Sequence, residues 1–340
     1  MTSTSRTLEI RTSPHLLSGY SVDTIMFNVV LALLPTSAFA VYAFGWTALA
    51  TLITALAACA LTELFACRLR GEPSTLGDWS VVITGLLYGL TLPPALPLWM
   101  VAVGAMVGVG LGKALFGGLG MNPFNPALVG RAFVQAAFPV AMTTWTPAFA
   151  TDRFTRLADA TLTLPLTRPI YDALSSATPL ARWKFDRETT ELADAALGFV
   201  GGSTGETCGV LILLGGAYLA TRNMMSWQIP TAILTTVFFF SGALYLLDSE
   251  AFPDPLFMLF SGGLLLGAVF MATDMVGSPM TGLGRVVYGV AIGVLTVVIR
   301  IWGGLPEGVM YAILLGNAIT PLIDGWIQPR VYGTSREVAS

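Results

Sequence analysis

Histidine is almost missing from this chain of 340 residues: His15 is the only one. Cysteine is nearly as scarce. Cys59, Cys67 and Cys208 make no Cys-x-x-Cys pair and no zinc spacing. A haem or iron–sulfur cluster held by this chain alone is therefore not expected, nor is a secreted disulfide scaffold. Charge is the third deficit. Only 11% of the residues are Asp, Glu, Lys or Arg, against roughly 25% in soluble domains. A net charge of −3 gives no argument for nucleic acid or for an acidic partner.

What remains is apolar. Hydrophobic residues make up 54% of the chain and mean hydropathy is +0.73, which places it among membrane proteins in contact with lipid. The N-terminus is not a clear signal peptide. Ser37-Ala38-Phe39-Ala40 faintly resembles a cleavage site, but a second apolar run follows at once, so the first reads as a retained span.

A helix needs about 20 apolar residues to cross the hydrocarbon layer. Runs lie near 24–44, 46–66, 80–92, 98–115 and 126–142, and again near 207–221, 229–247, 255–273, 286–302 and 306–323. The stretch 80–115 is divided at Pro93-Pro94 and Pro97, because proline removes a backbone donor and clashes with the preceding turn. The expectation is an all-α membrane protein of about ten transmembrane helices. It divides into a five-helix half (1–142), an external loop (143–206) and a second five-helix half (207–340). An odd number of spans per half makes the halves inverted repeats, a symmetry that places sites near broken helices. Gly85-Leu86-Leu87-Tyr88-Gly89-Leu90 and Gly263-Leu264-Leu265-Leu266-Gly267-Ala268 are a faint internal echo.

Basic residues set the orientation. With the N-terminus in the cytoplasm, the inside segments hold Arg6, Arg11, Arg68, Arg70, Lys113, Arg222, Arg285, Arg330 and Arg336, and the C-terminus is cytoplasmic too. The short outside turns near 45, 93–97, 248–254 and 303–305 hold none. Residues 143–206 then lie on the periplasmic side of a bacterial inner membrane. Trp46, Trp79, Trp99, Trp145, Trp227, Trp302 and Trp326 fall at span edges, where interface anchoring accounts for them.

Ionisable groups inside the membrane cost roughly 2.5–3.5 kcal/mol each on insertion scales, so they need a partner or a role. Glu63, Lys113, Arg131, Asp274 and Arg300 qualify. Glu63 and Lys113 lie near span ends, where snorkelling to the interface suffices. Arg131 suits a flavin or a structural carbonyl. Asp274 suits capping of a broken helix, a flavin ring or an ion.

In the external loop, Asp172-Ala173-Leu174-Ser175-Ser176-Ala177-Thr178-Pro179-Leu180 is a turn-prone run of small residues. On physical grounds alone it is an ordinary polar loop with an accessible threonine hydroxyl. Gly201-Gly202-Ser203-Thr204-Gly205-Glu206-Thr207 precedes the sixth run. Such a turn either presents N–H groups to an anion or eases the chain back into the membrane. It lacks the Lys-Ser/Thr ending of a nucleotide-hydrolysing loop.

Asp-x-x-Ser-x-Ala-Thr resembles the flavinylation motif of the family that contains the Rnf D subunit and the B subunit of the sodium-pumping NADH:quinone reductase. Ser13-Pro14-His15, Thr84-Gly85-Leu86-Leu87 with Thr91-Leu92-Pro93-Pro94, Gly118 to Ala127, Gly202 to Thr207, Ala272-Thr273-Asp274 with Ser278-Pro279, and Pro306-Glu307-Gly308-Val309 with Asn317 and Pro321 to Asp324 resemble further family blocks, in order. A longer N-terminal extension typical of the quinone-reductase branch is missing, which favours the Rnf branch.

The resemblance implies FMN joined through a phosphoester to Thr178, with Asp172, Ser175 and Ala177 recognised by a periplasmic flavin transferase. Ser176 stands where the family usually has Gly. It also implies a non-covalent riboflavin, for which Thr84, Asn125 and Asp274 are candidates in a cytoplasm-side pocket between the repeats. Gly202, Gly205 and Thr207 are candidates for the FMN phosphate or ribityl chain. The implied activity is electron transfer within an Rnf-type complex that couples ferredoxin and NAD oxidoreduction to Na⁺ or H⁺ movement. The implied partners are a periplasmic FMN subunit and membrane iron–sulfur subunits. A secondary transporter or channel without redox function, and a purely structural membrane subunit, are the competing readings. Neither needs an acceptor threonine.

Overall fold

The computed structural model describes residues 21–165, 167, 177–188, 190–206 and 208–329. Among them all regular structure is helical. The first half contains α1 (Val22–Phe44), α2 (Trp46–Arg70), α3 (Ser80–Leu90), α4 (Leu98–Gly112) and α5 (Pro126–Ala137). The second contains α6 (Gly209–Thr221), α7 (Gln228–Leu247), α8 (Pro255–Phe260), α9 (Gly282–Trp302) and α10 (Val309–Trp326).

Local signals fix several ends. The Ser21 hydroxyl accepts from the Thr24 N–H at 3.2 Å and caps α1. Asn125 does the same for α5, accepting from Ala127 N at 3.0 Å, with Pro126 at the first helical position. α3 stops at Leu90 ahead of Pro93-Pro94, and α4 starts after Pro97, as proline requires.

Among the described residues, six segments are long and apolar enough to cross a membrane: α1, α2, Leu98–Phe116, α7, α9 and α10. α3 and α6 are apolar but shorter. Large apolar side chains stand on the outside as well as the inside, with Leu246 and Leu247 86% and 81% exposed. A helix apolar on all sides belongs in lipid or in a large core.

In the first half α2 packs on α3 and α4, and α4 on α5; in the second α7 packs on α8 and α9, and α9 on α10; α1 and α6 meet each other.

Two expected spans are interrupted. The run 255–273 has no internal proline after Pro255, yet its helix ends at Phe260. Gly262 follows at φ +67°, and the chain resumes at Leu264 before a wide π-helical turn over Gly267–Met271. The run 126–142 breaks at Phe138, ahead of Pro139. Trp145 is buried, so it does not stand at an interface with lipid, and the half-buried Trp99 packs edge-on against Phe138.

Residues 143–206 touch all four turns expected on one side. Trp46 N donates to Arg153 O at 3.0 Å. Gly45, at φ +68°, leaves no room for a Cβ against that carbonyl. Thr204 N donates to Leu92 O at 3.1 Å. Arg187 Nη1 donates to Ala251 O at 2.8 Å. Lys184 Nζ donates to Leu305 O at 3.2 Å, and also to Gly303 O. The described part of this segment and those turns therefore form one end of the bundle.

Candidate functional site

Thr178 lies at that end and is buried. Its hydroxyl is not free: it accepts from the Ala181 N–H at 3.2 Å. The open approach expected from the small residues around it is absent, because Pro179 and Leu180 are buried with it. A pocket of about 290 Å³ adjoins Thr178, lined by Val200, Gly201, Gly202, Glu206, Phe260, Ser261 and Gly262. Of the loop glycines, Gly202 lines this pocket and Gly205 does not. The Gly205 N–H donates to Leu90 O at 2.7 Å, and a Cβ there would lie 2.7 Å from Leu90 Cβ. That loop thus covers the open end of α3, with the Thr204 hydroxyl donating to Gly89 O at 2.7 Å. Asp172, Ser175, Thr207 and His15 lie outside the described residues.

Behind the pocket is a cluster of buried charge. Arg131 of α5 pairs with Glu307 and sits 3.7 Å from Glu206 Oε1. It meets carboxylates, where a structural carbonyl was one of the partners expected from sequence. Arg300 of α9 donates to Met258 O at 2.5 Å and Ser261 O at 2.8 Å. It thereby occupies the carbonyls left without partners where α8 breaks. Arg300 Nη2 also stands behind Gly262, 3.2 Å from where a Cβ would be. Several buried polar atoms here make no hydrogen bond: Glu206 Oε1, Glu307 Oε1, Ser261 Oγ, and the Nε atoms of Arg131 and Arg300. Burial and the neighbouring Glu307 carboxylate push Glu206 up to about 7, while Arg131 pulls it down.

A second site lies at the other end, between the halves. Thr84, Asn125 and Asp274 line one cavity there, with Met26, Ser80, Lys113, Asn122, Met224, Phe270 and others. The space between these side chains is about 770 Å³, part of it open at the surface. Asn125 Nδ2 donates to Met271 O at 3.3 Å, tying the start of α5 to the wide turn of the second half. Asp274 receives the Val276 N–H at 3.3 Å and the Asn122 amide at 3.5 Å. Lys113 does not snorkel: its Nζ donates to both Glu63 oxygens at 2.6 and 2.9 Å and to Ser80 Oγ at 2.7 Å, all buried. The Tyr288 hydroxyl lies 2.7 Å from the Asn317 amide.

Glu206 and Glu307 were visible within sequence blocks, but not as members of a site. Their signal was the charge balance: Arg131 within a span called for a buried anion, and acidic residues just outside the spans were the available ones.

An all-helical bundle with broken helices, ionised side chains inside it and a cavity between its halves defines a multi-pass membrane protein built to hold polar groups at membrane depth. The chain belongs to the NQR2, RnfD, RnfE family, which matches residues 9–333. It is 41% identical over 337 residues to the D subunit of the proton-translocating ferredoxin:NAD(+) oxidoreductase complex of Clostridium ljungdahlii, covering 96% of each chain. It is 41% identical over 329 residues to the D subunit of the ion-translocating oxidoreductase complex of Stutzerimonas stutzeri, covering 92% of each. It is 39% identical over 334 residues to the Na(+)-translocating counterpart of Acetobacterium woodii, covering 97% of this chain and 96% of that one.

Proposed function

We propose that this chain is the D subunit of an Rnf-type complex and carries an FMN on Thr178. On this reading it relays electrons while the complex couples ferredoxin:NAD⁺ oxidoreduction to ion movement. Its partners are a periplasmic FMN subunit, membrane iron–sulfur subunits and, during maturation, a flavin transferase. Full-length similarity to the D subunits of such complexes supports this membership. The observation that carries the site is Thr178 at the mouth of a pocket backed by Arg300.

As it stands the pocket has room for little more than one water molecule, and its one ionisable lining group is the Glu206 carboxylate, so the flavin lies beyond it and its phosphate is admitted only when the segment around Thr178 opens. Ser261 Oγ lacks a partner and would donate to the ligand. Arg300, behind Gly262, offsets phosphate charge. Attachment requires Thr178 to release the Ala181 N–H, so the transferase meets the 177–182 segment in an opened state. A flavin held there supplies one-electron exchange between a single-electron donor and further carriers.

The 770 Å³ cavity is the proposed riboflavin site. There Asn125 and Asp274 present amide and carboxylate groups at one wall, Thr84 a hydroxyl, and Met26, Leu87 and Phe270 apolar contact. The two sites sit at opposite ends of the bundle, which agrees with a periplasmic Thr178, a cytoplasmic cavity, cytoplasmic termini and two inverted five-helix repeats in a bacterial inner membrane. Moving one charge across the field is worth roughly 2.3 kcal/mol per 100 mV. The relatives' names include both a proton and a sodium ion, so the coupling ion is a property of the individual complex.

Thr178→Ala in the native complex tests the assignment. Flavin fluorescence of the denatured chain disappears and its intact mass falls by one FMN. A fluorescent Thr178→Ala band moves the attachment elsewhere.

A further inference from the structure

We infer that residues 177–188 form a strap that is docked only while Thr178 is unmodified, and that FMN on Thr178 holds it undocked. This rests on the assignment of FMN to Thr178. Attachment forms an O–P bond at Thr178 Oγ1 and releases the hydroxyl proton. The FMN comes from a flavin phosphoanhydride, whose other half departs with its own phosphate.

The strap lies on the bundle along one edge. Thr178, Leu180 and Trp183 are buried, whereas Phe185, Asp186 and Glu188 are exposed. The Thr178 hydroxyl caps its first turn, accepting from Ala181 N at 3.2 Å. Three side chains then tie it down. Leu180 sits over Gly262, its Cδ1 2.7 Å from where a Cβ would be. Lys184 Nζ donates to Arg300 O at 3.0 Å and to Leu305 O at 3.2 Å. The Arg187 guanidinium donates to Ala251 O at 2.8 Å and lies over the Trp183 ring.

Docked in this way, the strap closes the Thr178 pocket around little more than one water molecule. A phosphodiester is far larger. It also brings a negative charge, and Glu206 is the one ionisable group lining the pocket. Phosphate set beside a carboxylate in a buried site is disruptive, through repulsion and desolvation. Arg131 is paired with Glu307, and Arg300 is bound to the Met258 and Ser261 carbonyls. Protonation of Glu206, which burial and Glu307 bring to about 7, lifts the repulsion but makes no room. One wall must therefore move, and the strap is the least firmly tied. The loop opposite is fastened to α3 through the Gly205 N–H and the Thr204 hydroxyl. The break after Phe260 is fastened by the fully buried Arg300. The strap carries the attachment atom itself, and its polar ties are one half-buried lysine and one exposed arginine.

Hydrogen exchange in the assembled complex tests this. One preparation is made without the flavin transferase; the other is matured, with FMN on Thr178 shown by peptide mass. The reporters are the amides of Ala181, Arg182 and Arg187, which donate to Thr178 Oγ1, Thr178 O and Trp183 O. Turns this short do not protect their own amides once undocked. In the unmodified chain they exchange slowly, and with FMN attached roughly tenfold faster or more. Equal protection in the two preparations overturns the proposal. A second measurement needs no flavin. In the complex made without the transferase, Thr178→Glu sets a longer carboxylate in the closed pocket and opens the strap by the same readout, while Thr178→Ser keeps the wild-type protection. A Thr178→Glu strap as protected as that of Thr178→Ser overturns the proposal even where the matured chain carries FMN. A matured chain without FMN on Thr178 overturns it through its premise, and the Thr178→Glu result tells the two failures apart.

Discussion

Lys184 Nζ donates to the main-chain carbonyl of Arg300 at 3.0 Å, while the Arg300 guanidinium donates to Ser261 O at 2.8 Å in the wall of the Thr178 pocket. The segment after Thr178, the end of α9 and the break after α8 are thereby held as one unit. Lys184 also meets the carbonyls of Gly303 and Leu305 in the turn after α9, while the Arg300 carbonyl is one of those a helix leaves unpaired at its C-terminal end. Burial lowers the Lys184 ammonium from its ordinary range, so part of this gain is offset by desolvation.

Lys184→Met leaves those carbonyls without their donor. Hydrogen bonds to charged groups are worth about 1.5–3 kcal/mol, and with the desolvation cost removed a net loss of about 1–2 kcal/mol is expected. It is local: protease cleavage of the 177–190 segment accelerates, while the melting of the helical bundle moves little. Equal shifts in both would show that the clip is not local.

The buried pair of Glu63 and Lys113 makes a sharper prediction. Removing one partner strands a charge at a cost of roughly 3–5 kcal/mol, whereas replacing both by neutral groups of similar size is often close to neutral. Lys113→Met should therefore unfold the detergent-solubilised chain at markedly lower temperature, and Glu63→Gln with Lys113→Met should recover most of the loss. A double variant no better than Lys113→Met would mean that Lys113 acts through Ser80 or the cavity, not through Glu63.

These two charges also show where sequence reading stops. Each lies near the end of its apolar run, where a long side chain can reach the interface unaided. Only the packing of α2 on α4 brings them together, across 50 positions. The break after α3 was legible because Pro93 and Pro94 announce it. The break after α8 was not, since the apolar run continues and the residue that takes the freed carbonyls, Arg300, is about 40 positions away. The segment leading to Thr178 reads plainly as a motif, but the burial of its hydroxyl depends on how 177–182 docks. Thr84, Asn125 and Asp274 are far apart in the sequence, and the fold gathers them around one cavity because α3, α5 and the wide turn of the second half converge at one end.

Small residues set the spacing of α4 and α5. Gly104, Gly108 and Gly112 recur every fourth residue along the face of α4 that meets α5, and a Cβ on Gly108 would lie 2.7 Å from Pro126 O and 3.1 Å from Gly130 Cα. Close backbone approach through such stripes is a principal source of helix association in membranes. Gly108→Leu forces α5 outward and displaces Arg131 and Asn125 with it. The expected result is a destabilisation of more than about 3 kcal/mol, beyond ordinary overpacking, seen as aggregation during detergent extraction. Gly110→Leu, on the open side of the same helix, is the control and should extract normally.

The cavity at the opposite end can be filled without touching Thr178. Thr84 lines it and donates only to the Ser80 carbonyl one turn earlier, so Thr84→Phe projects a ring into the space without stranding a charge. If a flavin binds there, the variant excludes it at a cost of at least about 2–3 kcal/mol, a loss in affinity of roughly 30- to 150-fold. Acid extraction of the purified complex then releases little riboflavin, while the covalent flavin of the denatured chain stays at the wild-type level. Asp274→Asn keeps the shape of the cavity and removes its charge, so it separates exclusion from recognition: partial loss of extractable flavin is expected if the carboxylate contributes to binding. Undiminished riboflavin in both variants would mean that the cavity between the halves is not its site.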